Sequence, residues 1–172
     1  MKYSNITICV VIAAITFAAL PAQTEESATK SQLAGAWLLK SFKATTGDQV
    51  NYPLGEHPGG YVGFSPTRFW VMLVDATRKA PASAAMTDAE AASFMKSSAA
   101  YTGKYVAGPI PTPDGIKITI HVDAAANQAL TGTDRVLFVR IDGDKLTLKS
   151  PAIVIPTTGQ TSVVQLDFVK AD

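Results

Sequence analysis

The feature that most constrains the fold is a strict alternation of apolar and polar side chains across residues 115–123. The apolar residues all share one parity, namely Ile116, Ile118, Ile120 and Val122. The polar residues share the other parity, namely Lys117, Thr119, His121 and Asp123. A period of two is the side-chain period of a β-strand, so the pattern predicts a strand with one dry face and one face toward water or a polar cavity.

Other segments indicate further strands. Residues 145–149 and 164–168 alternate in the same way. Asp142-Gly143 between two such runs predicts a type I′ hairpin, whose positive φ angles suit glycine. Residues 69–74 and 136–139 are apolar on both parities. This favours strands buried on both sides, or barrel strands with a packed interior and a covered exterior.

One helix is predicted at about residues 88–99. Thr87 and Glu90 form a T-x-x-E capping box before an alanine-rich stretch, with Phe94 and Met95 as its anchors against the rest of the domain. Eight or so short strands with many hairpins and one helix predict a mainly β antiparallel barrel or sandwich. We expect an up-and-down barrel, because closure leaves no exposed edge strand. Such a barrel is either filled by side chains or holds one small ligand.

The N-terminus has the outline of a secretory signal. Lys2 precedes an uncharged apolar run of 15 residues, 6–20, that ends at Pro21 and the small residue Ala22. This run is shorter than the roughly 20 residues that a membrane anchor needs. We therefore predict a signal peptide at 1–22, a flexible leader at 23–31 and a barrel domain at 32–172. The mature protein is expected to be exported, periplasmic or secreted, without stable membrane insertion.

Composition excludes several function classes. Removal of residues 1–22 leaves equal numbers of basic and acidic side chains, which argues against a nucleic-acid footprint. It also removes Cys9, the one cysteine, so that thiol catalysis and cysteine-ligated metals are excluded for the mature form. His57 and His121 are far apart in sequence, so no metal site or cofactor is predicted. No phosphate loop or nucleophile elbow is present.

Several motifs in order resemble a known family over nearly the whole mature chain. They are Gly35-Ala36-Trp37, the YPLG of residues 52–55, the YTGKY of residues 101–105, the IHVD of residues 120–123 and the IDGDKLTL of residues 141–148. Together they resemble the lipocalin-like domain of many bacterial and fungal proteins. The resemblance implies a calycin-type barrel with a helix inserted between strands.

The candidate ligand-binding residues are mostly large amphipathic side chains, namely Trp37, Tyr61, Trp70, Tyr101, Tyr105, His121 and Arg135. Any single aromatic residue among them is compatible with simple core packing. Tyr101 and Tyr105 share a parity, so both hydroxyls would enter a cavity if that side of the sheet faces inward. His121 is either part of a solvated face or a pocket histidine able to act as acid or base.

Arg135 and Arg140 have opposite parity, so only one can point inward from an unbulged strand. We favour Arg135, with a cation–π contact to Trp37 at the barrel floor, an arrangement found in lipocalin barrels in general.

Two functional hypotheses follow. The first is a binding protein whose barrel holds a small, largely apolar molecule. The second is a metal-free isomerase or cyclase that acts on a small hydrophobic substrate with a tyrosine or histidine acid. An inward histidine or arginine within reach of Tyr101 or Tyr105, with no other role, would favour the second. A filled barrel with a structural role is a third alternative, and no catalytic residue is assigned from sequence.

Overall fold

Eight antiparallel strands close into a barrel in the computed structural model, which describes residues 22–154 and 159–171. The barrel strands are β1 (Gly35–Thr46), β3 (Pro58–Phe64), β4 (Arg68–Asp75), β5 (Ser98–Thr112), β6 (Gly115–Ala125), β7 (Asp134–Asp142), β8 (Lys145–Lys149) and β10 (Thr161–Lys170). Each pairs with the next along the chain, and β1 pairs with β10 to complete the ring. Two short strands, β2 (Gln49–Asn51) and β9 (Ile153–Val154), extend the sheet beside β1 and β10. The predicted up-and-down barrel is confirmed.

The alternation that predicted β6 coincides with the two sides of the barrel wall. Ile118, Ile120 and Val122 are completely buried inside, whereas Lys117 and His121 are exposed outside. A hairpin joins β7 to β8 at the predicted place, but Asp142 pairs with Lys145, so that its loop residues are Gly143 and Asp144. Only Gly143 has a positive φ, of 57°, so the turn is not the predicted type I′, which needs a positive φ at both loop residues. The strand and the hairpin both depend on local sequence, and both are present, although the turn type differs from the prediction.

Strand β4 differs from the prediction that its exterior is buried or covered. Phe69, Val71 and Leu73 point into the core, but Trp70 and Met72 remain 41% and 50% exposed on the outside. The Trp70 ring lies over Gly63 of the neighbouring strand, where a Cβ atom would lie 2.0 Å from Cε2 of the indole. The Trp70 ring is therefore partly shielded from solvent because it packs on the backbone of a glycine, which has no side chain, on the next strand.

The inserted helix, α2, spans Asp88–Lys96 between β4 and β5. Both halves of the predicted capping box form: Thr87 accepts a hydrogen bond from the Glu90 amide, and Glu90 accepts one from the Thr87 amide. Ser97 caps the other end, so the helix is shorter than predicted and β5 begins at Ser98. No residue of α2 is buried, and the Arg78 guanidinium lies 5.2 Å from the Phe94 ring centroid.

A second helix, α1, spans Ala22–Leu33 where the sequence predicts a flexible leader. Its alanine, glutamate, glutamine and lysine residues have high helix propensity. Its C-terminal residue, Leu33, is completely buried, and its carbonyl accepts a 2.9 Å hydrogen bond from Nε1 of Trp37. This anchor fixes α1 at one end of the barrel. The remainder of the predicted signal peptide, residues 1–21, lies outside the described residues.

The barrel interior is packed at the end that holds α1. The Phe64 ring makes edge contacts with Phe69 at 5.2 Å and with Tyr105 at 5.5 Å between ring centroids. The Lys30 ammonium of α1 lies 5.4 Å from the Tyr105 ring centroid. Side chains therefore fill this end, and unfilled space remains toward the other end.

Candidate ligand-binding cavity

A cavity of about 610 Å³ occupies the end of the barrel away from α1. Its volume lies within the range of about 300–1,000 Å³ typical of small-molecule sites. Apolar side chains from β1, β4, β7 and β10 form most of its wall, including Phe42, Phe69, Val71, Leu137, Leu166 and Phe168. The rim comes from Met95 and Lys96 of α2, from Asn127 and Leu130 between β6 and β7, and from Ile153. An apolar molecule could lose most of its water contacts here.

Tyr101 of β5 adds a phenolic hydroxyl group to this apolar wall. Its ring packs against Phe69, with 5.5 Å between ring centroids. Burial raises the pKa of the Tyr101 hydroxyl, and the charge and hydrogen-bonding contribution of the Arg135 guanidinium opposes that rise. The phenol is therefore neutral at physiological pH and able to donate a hydrogen bond.

Arg135 brings a positive charge to the mouth of the same cavity. Arg135 has the same inward parity on β7 as Leu137 and Val139, which are both buried. It is the second residue of the strand and therefore lies nearer to the cavity mouth than they do. Among the side chains that the structure describes, those of residues 28–108, 111–154 and 159–171, no carboxylate lies within ion-pair distance of the Arg135 guanidinium. The cation thus meets a neutral phenol and not a counter-ion.

The other polar groups of the wall already have partners. Ser98 Oγ donates to the Phe94 carbonyl at 2.7 Å. The hydroxyl of Ser150 donates to the Pro151 carbonyl and accepts from the Val164 amide. These bonds hold the wall together and engage both serines, so that Tyr101 and Arg135, together with Lys96 at the rim, are the polar groups available to a ligand.

The sequence profile of a lipocalin-like domain matches residues 34–169, nearly the whole barrel. The chain belongs to the lipocalin-like domain family. Searches of curated proteins and of solved structures find no significant match. The predicted family resemblance is confirmed, and the matched range ends one residue before the last residue of β10.

Two of the predicted residues lie at the closed end of this lipocalin-like barrel. Trp37 is 1% exposed, and the Lys170 ammonium lies over its ring where the sequence suggested Arg135. Tyr105 is 3% exposed, and its hydroxyl donates to the Ser65 carbonyl at 3.1 Å. Neither residue borders the cavity. The shared parity of Tyr101 and Tyr105 does place both inside, but at different heights along β5.

Three further predicted residues point out of the barrel. Tyr61 and Trp70 are 45% and 41% exposed on the outer surface of β3 and β4. His121 is exposed on β6, where its Nδ1 lies 2.9 Å from the Asp134 carboxylate. The cavity therefore brings together only Tyr101 and Arg135 of the seven candidates.

Sequence reasoning missed most of the apolar wall. Leu137 and Leu166 could have been found from the inward parity of their strands. Phe42 could not, because the pairing of β1 with β10 shifts register between Leu39 and Ser41. Trp37 and Leu39 point inward before this bulge, and Phe42 reaches the cavity after it because the bulge reverses the parity.

Metal ligands do not cluster in the part of the chain that the structure describes: no three His, Cys, Asp or Glu side chains come together there. In the same residues, no helix has the length and hydropathy to span a membrane.

Proposed function

We propose that this lipocalin-like protein binds a small, largely apolar molecule inside its barrel. The observation that supports this most directly is the cavity of about 610 Å³ with its apolar wall. A purely structural barrel would be expected to fill its interior, because protein cores are packed to crystal-like density. Here the interior is filled only beside α1.

The proposal is tested by blocking the cavity. Ala99 is an inward residue of β5 that lines it, and Ala99→Phe would occupy space that the ligand needs. Val106→Phe is the matched control, because Val106 lies on the same strand but is 60% exposed outside the barrel. The ligand panel contains fatty acids, retinoids, terpenoids and aromatic polyketides.

We expect hits with the original protein and with Val106→Phe, and no hits with Ala99→Phe. A ligand at 100 times its dissociation constant should raise the unfolding free energy by about 2.7 kcal/mol, which thermal melting detects. A cooperative melt with no shift across the panel would contradict the proposal. Equal shifts for the blocked variant would place binding elsewhere and contradict it too.

The protein is further proposed to act after export. This part of the proposal is supported by the basic start, the apolar run 6–20 and the small residue Ala22 in the sequence. Expression of the full chain in a bacterial host, followed by mass determination of the periplasmic protein, tests it. A mature N-terminus at Gln23 is expected, and retention of residues 1–22 would contradict it.

The enzymatic alternative is favoured by one observation. Arg135 lies at the mouth of the cavity that Tyr101 lines and its charge favours the ionised form of the Tyr101 hydroxyl, so a neutral phenol has a cation near it that would stabilise negative charge. His121 lies outside and would not supply the acid. Product analysis of each panel hit after incubation tests this alternative. Conversion that Tyr101→Phe abolishes would support it, whereas unchanged ligands would leave binding as the function.

A further inference from the structure

We propose that the ligand is an amphipathic acid whose single carboxylate binds between Arg135 and Tyr101 at the cavity mouth, with its apolar body inside the barrel. This inference rests on the proposed binding function and adds the chemical class of the ligand. It follows from the distribution of charge around the cavity and from the chemistry of the two side chains.

The first argument is the charge of the cavity lining. Its cations are Lys96 from α2 and Arg135 from β7, and its anion is Asp134. The Asp134 carboxylate lies 2.9 Å from the His121 ring nitrogen on the outer side, and its side chain is 64% exposed. The charge that faces the ligand is therefore positive, which favours an anionic group over a cationic or neutral one.

The second argument is hydrogen-bond geometry. A guanidinium presents a planar fork of donors that matches the two oxygens of a carboxylate. A neutral phenol adds one further donor. Tyr101 and Arg135 come from β5 and β7, on either side of β6, and both line the cavity. A carboxylate there would accept hydrogen bonds from both.

The third argument is the separation of polar and apolar surface. Deeper in the barrel than Tyr101 and Arg135, apolar side chains such as Val71, Leu137 and Phe168 form the cavity wall. A molecule with several charged groups would leave some of them unpaired against this wall, at a high desolvation cost. The arrangement fits one anionic group at the mouth and an uncharged body inside.

The test uses three probes with the same apolar chain: dodecanoic acid, dodecanol and dodecylamine, each below its aggregation concentration. Affinities are measured by titration calorimetry with the purified protein and three variants. Arg135→Gln removes the charge, and Tyr101→Phe removes the hydroxyl. Arg140→Gln is the matched control, because Arg140 lies on the same strand but points outward and donates to the Pro113 carbonyl at 2.7 Å.

We expect the acid to bind at least tenfold more tightly than the alcohol, and the amine to bind most weakly. Arg135→Gln should remove most of the preference for the acid and leave the alcohol affinity unchanged. Tyr101→Phe should weaken the acid by about threefold to tenfold, and Arg140→Gln should change none of the three affinities.

The outcomes separate this inference from the function on which it rests. Equal affinities for acid and alcohol, or an acid preference that survives in Arg135→Gln, would overturn the headgroup inference while binding stands. Failure of all three probes to bind, in a protein that also gives no shift with the wider panel, would overturn the binding function itself. Thermal melts of each variant without ligand verify that it is folded.

Discussion

The side-chain ammonium of Lys170 lies 4.3 Å from the centroid of the Trp37 ring and donates a 2.6 Å hydrogen bond to the Ala34 carbonyl. The last residue of β10 thereby connects the start of β1 to the end of α1. Trp37 completes this closure through its own hydrogen bond to Leu33. The closed end is thus held by residues distant from the cavity, which gives a way to separate stability from binding.

Lys170→Met tests this separation. The substitution keeps an apolar stem over Trp37 but removes the cation and its hydrogen bond, so the free energy of unfolding should fall by about 1 kcal/mol. Ligand affinity should not change. Urea unfolding and calorimetry measure the two quantities. Lys145→Met is the control, since Lys145 is an exposed lysine on β8. An equal loss of unfolding free energy in this variant would contradict the stabilising role of the Lys170 contacts.

Tyr101 makes stability depend on alkaline pH. Burial raises the pKa of its hydroxyl above 10.0, the usual value, which the unfolded chain retains. Between these two pKa values the unfolded state releases a proton that the folded state keeps, so the unfolding free energy falls as pH rises. Urea unfolding between about pH 9 and pH 11 should show this fall, and Tyr101→Phe should reduce it. Tyr52→Phe, at an exposed tyrosine, should leave the slope unchanged.

Thr87→Ala should loosen the helix that borders the cavity. Loss of an N-cap side chain costs about 1 kcal/mol of helix stability. Because no residue of α2 is buried, we expect faster amide exchange in Asp88–Lys96 and little change in the barrel strands. Ser93→Ala within the same helix removes a hydroxyl that caps nothing and should not increase exchange. Uniform loss of protection across β5 and β6 would contradict a local effect.

The same helix should weaken in acid. Hydrogen bonds from the Thr87 amide, the Ala82 amide and the Thr87 hydroxyl lower the pKa of Glu90 below 4.5. The stabilisation of α2 by the ionised Glu90 side chain is therefore complete above that value and is lost as pH falls through the lowered pKa. The protection factors of the α2 amides, which correct for the slower intrinsic exchange at lower pH, should fall over this range, and Glu90→Gln should show less pH dependence. A pH dependence that is unchanged in Glu90→Gln would count against this origin.

Gly103→Ala should destabilise the barrel wall. A Cβ atom at Gly103 would lie 2.1 Å from the His121 carbonyl oxygen, beside the irregular pairing of β5 with β6. Backbone cannot move aside there without breaking the sheet, so we expect a loss of about 2 kcal/mol or more in urea unfolding. Gly108→Ala is the control on the same strand, since its nearest contact is 3.2 Å. Similar losses for the two variants would contradict the steric account.

Much of the fold could be predicted from local sequence. The alternation in residues 115–123, the glycine of the β7–β8 hairpin and the Thr87–Glu90 capping box each specify structure within a few residues, and each feature is present. Leader residues 23–31 were harder to interpret, because the helix depends on the burial of Leu33 against a barrel that is distant in sequence.

The candidate site depended on tertiary structure. Parity placed Tyr101 and Tyr105 on the same side of the sheet. However, four residues of extended strand separate them by about 13 Å, so Tyr101 lines the cavity whereas Tyr105 lies at the closed end. Whether His121 and Arg135 point into or out of the barrel could be determined only from the closed barrel, because closure decides which face of each strand is inside. Phe42 needed the bulge in β1. The sequence by itself determined strands, turns and capping, because these depend on neighbours; the cavity depends on how distant strands pack, so only the tertiary structure decided it.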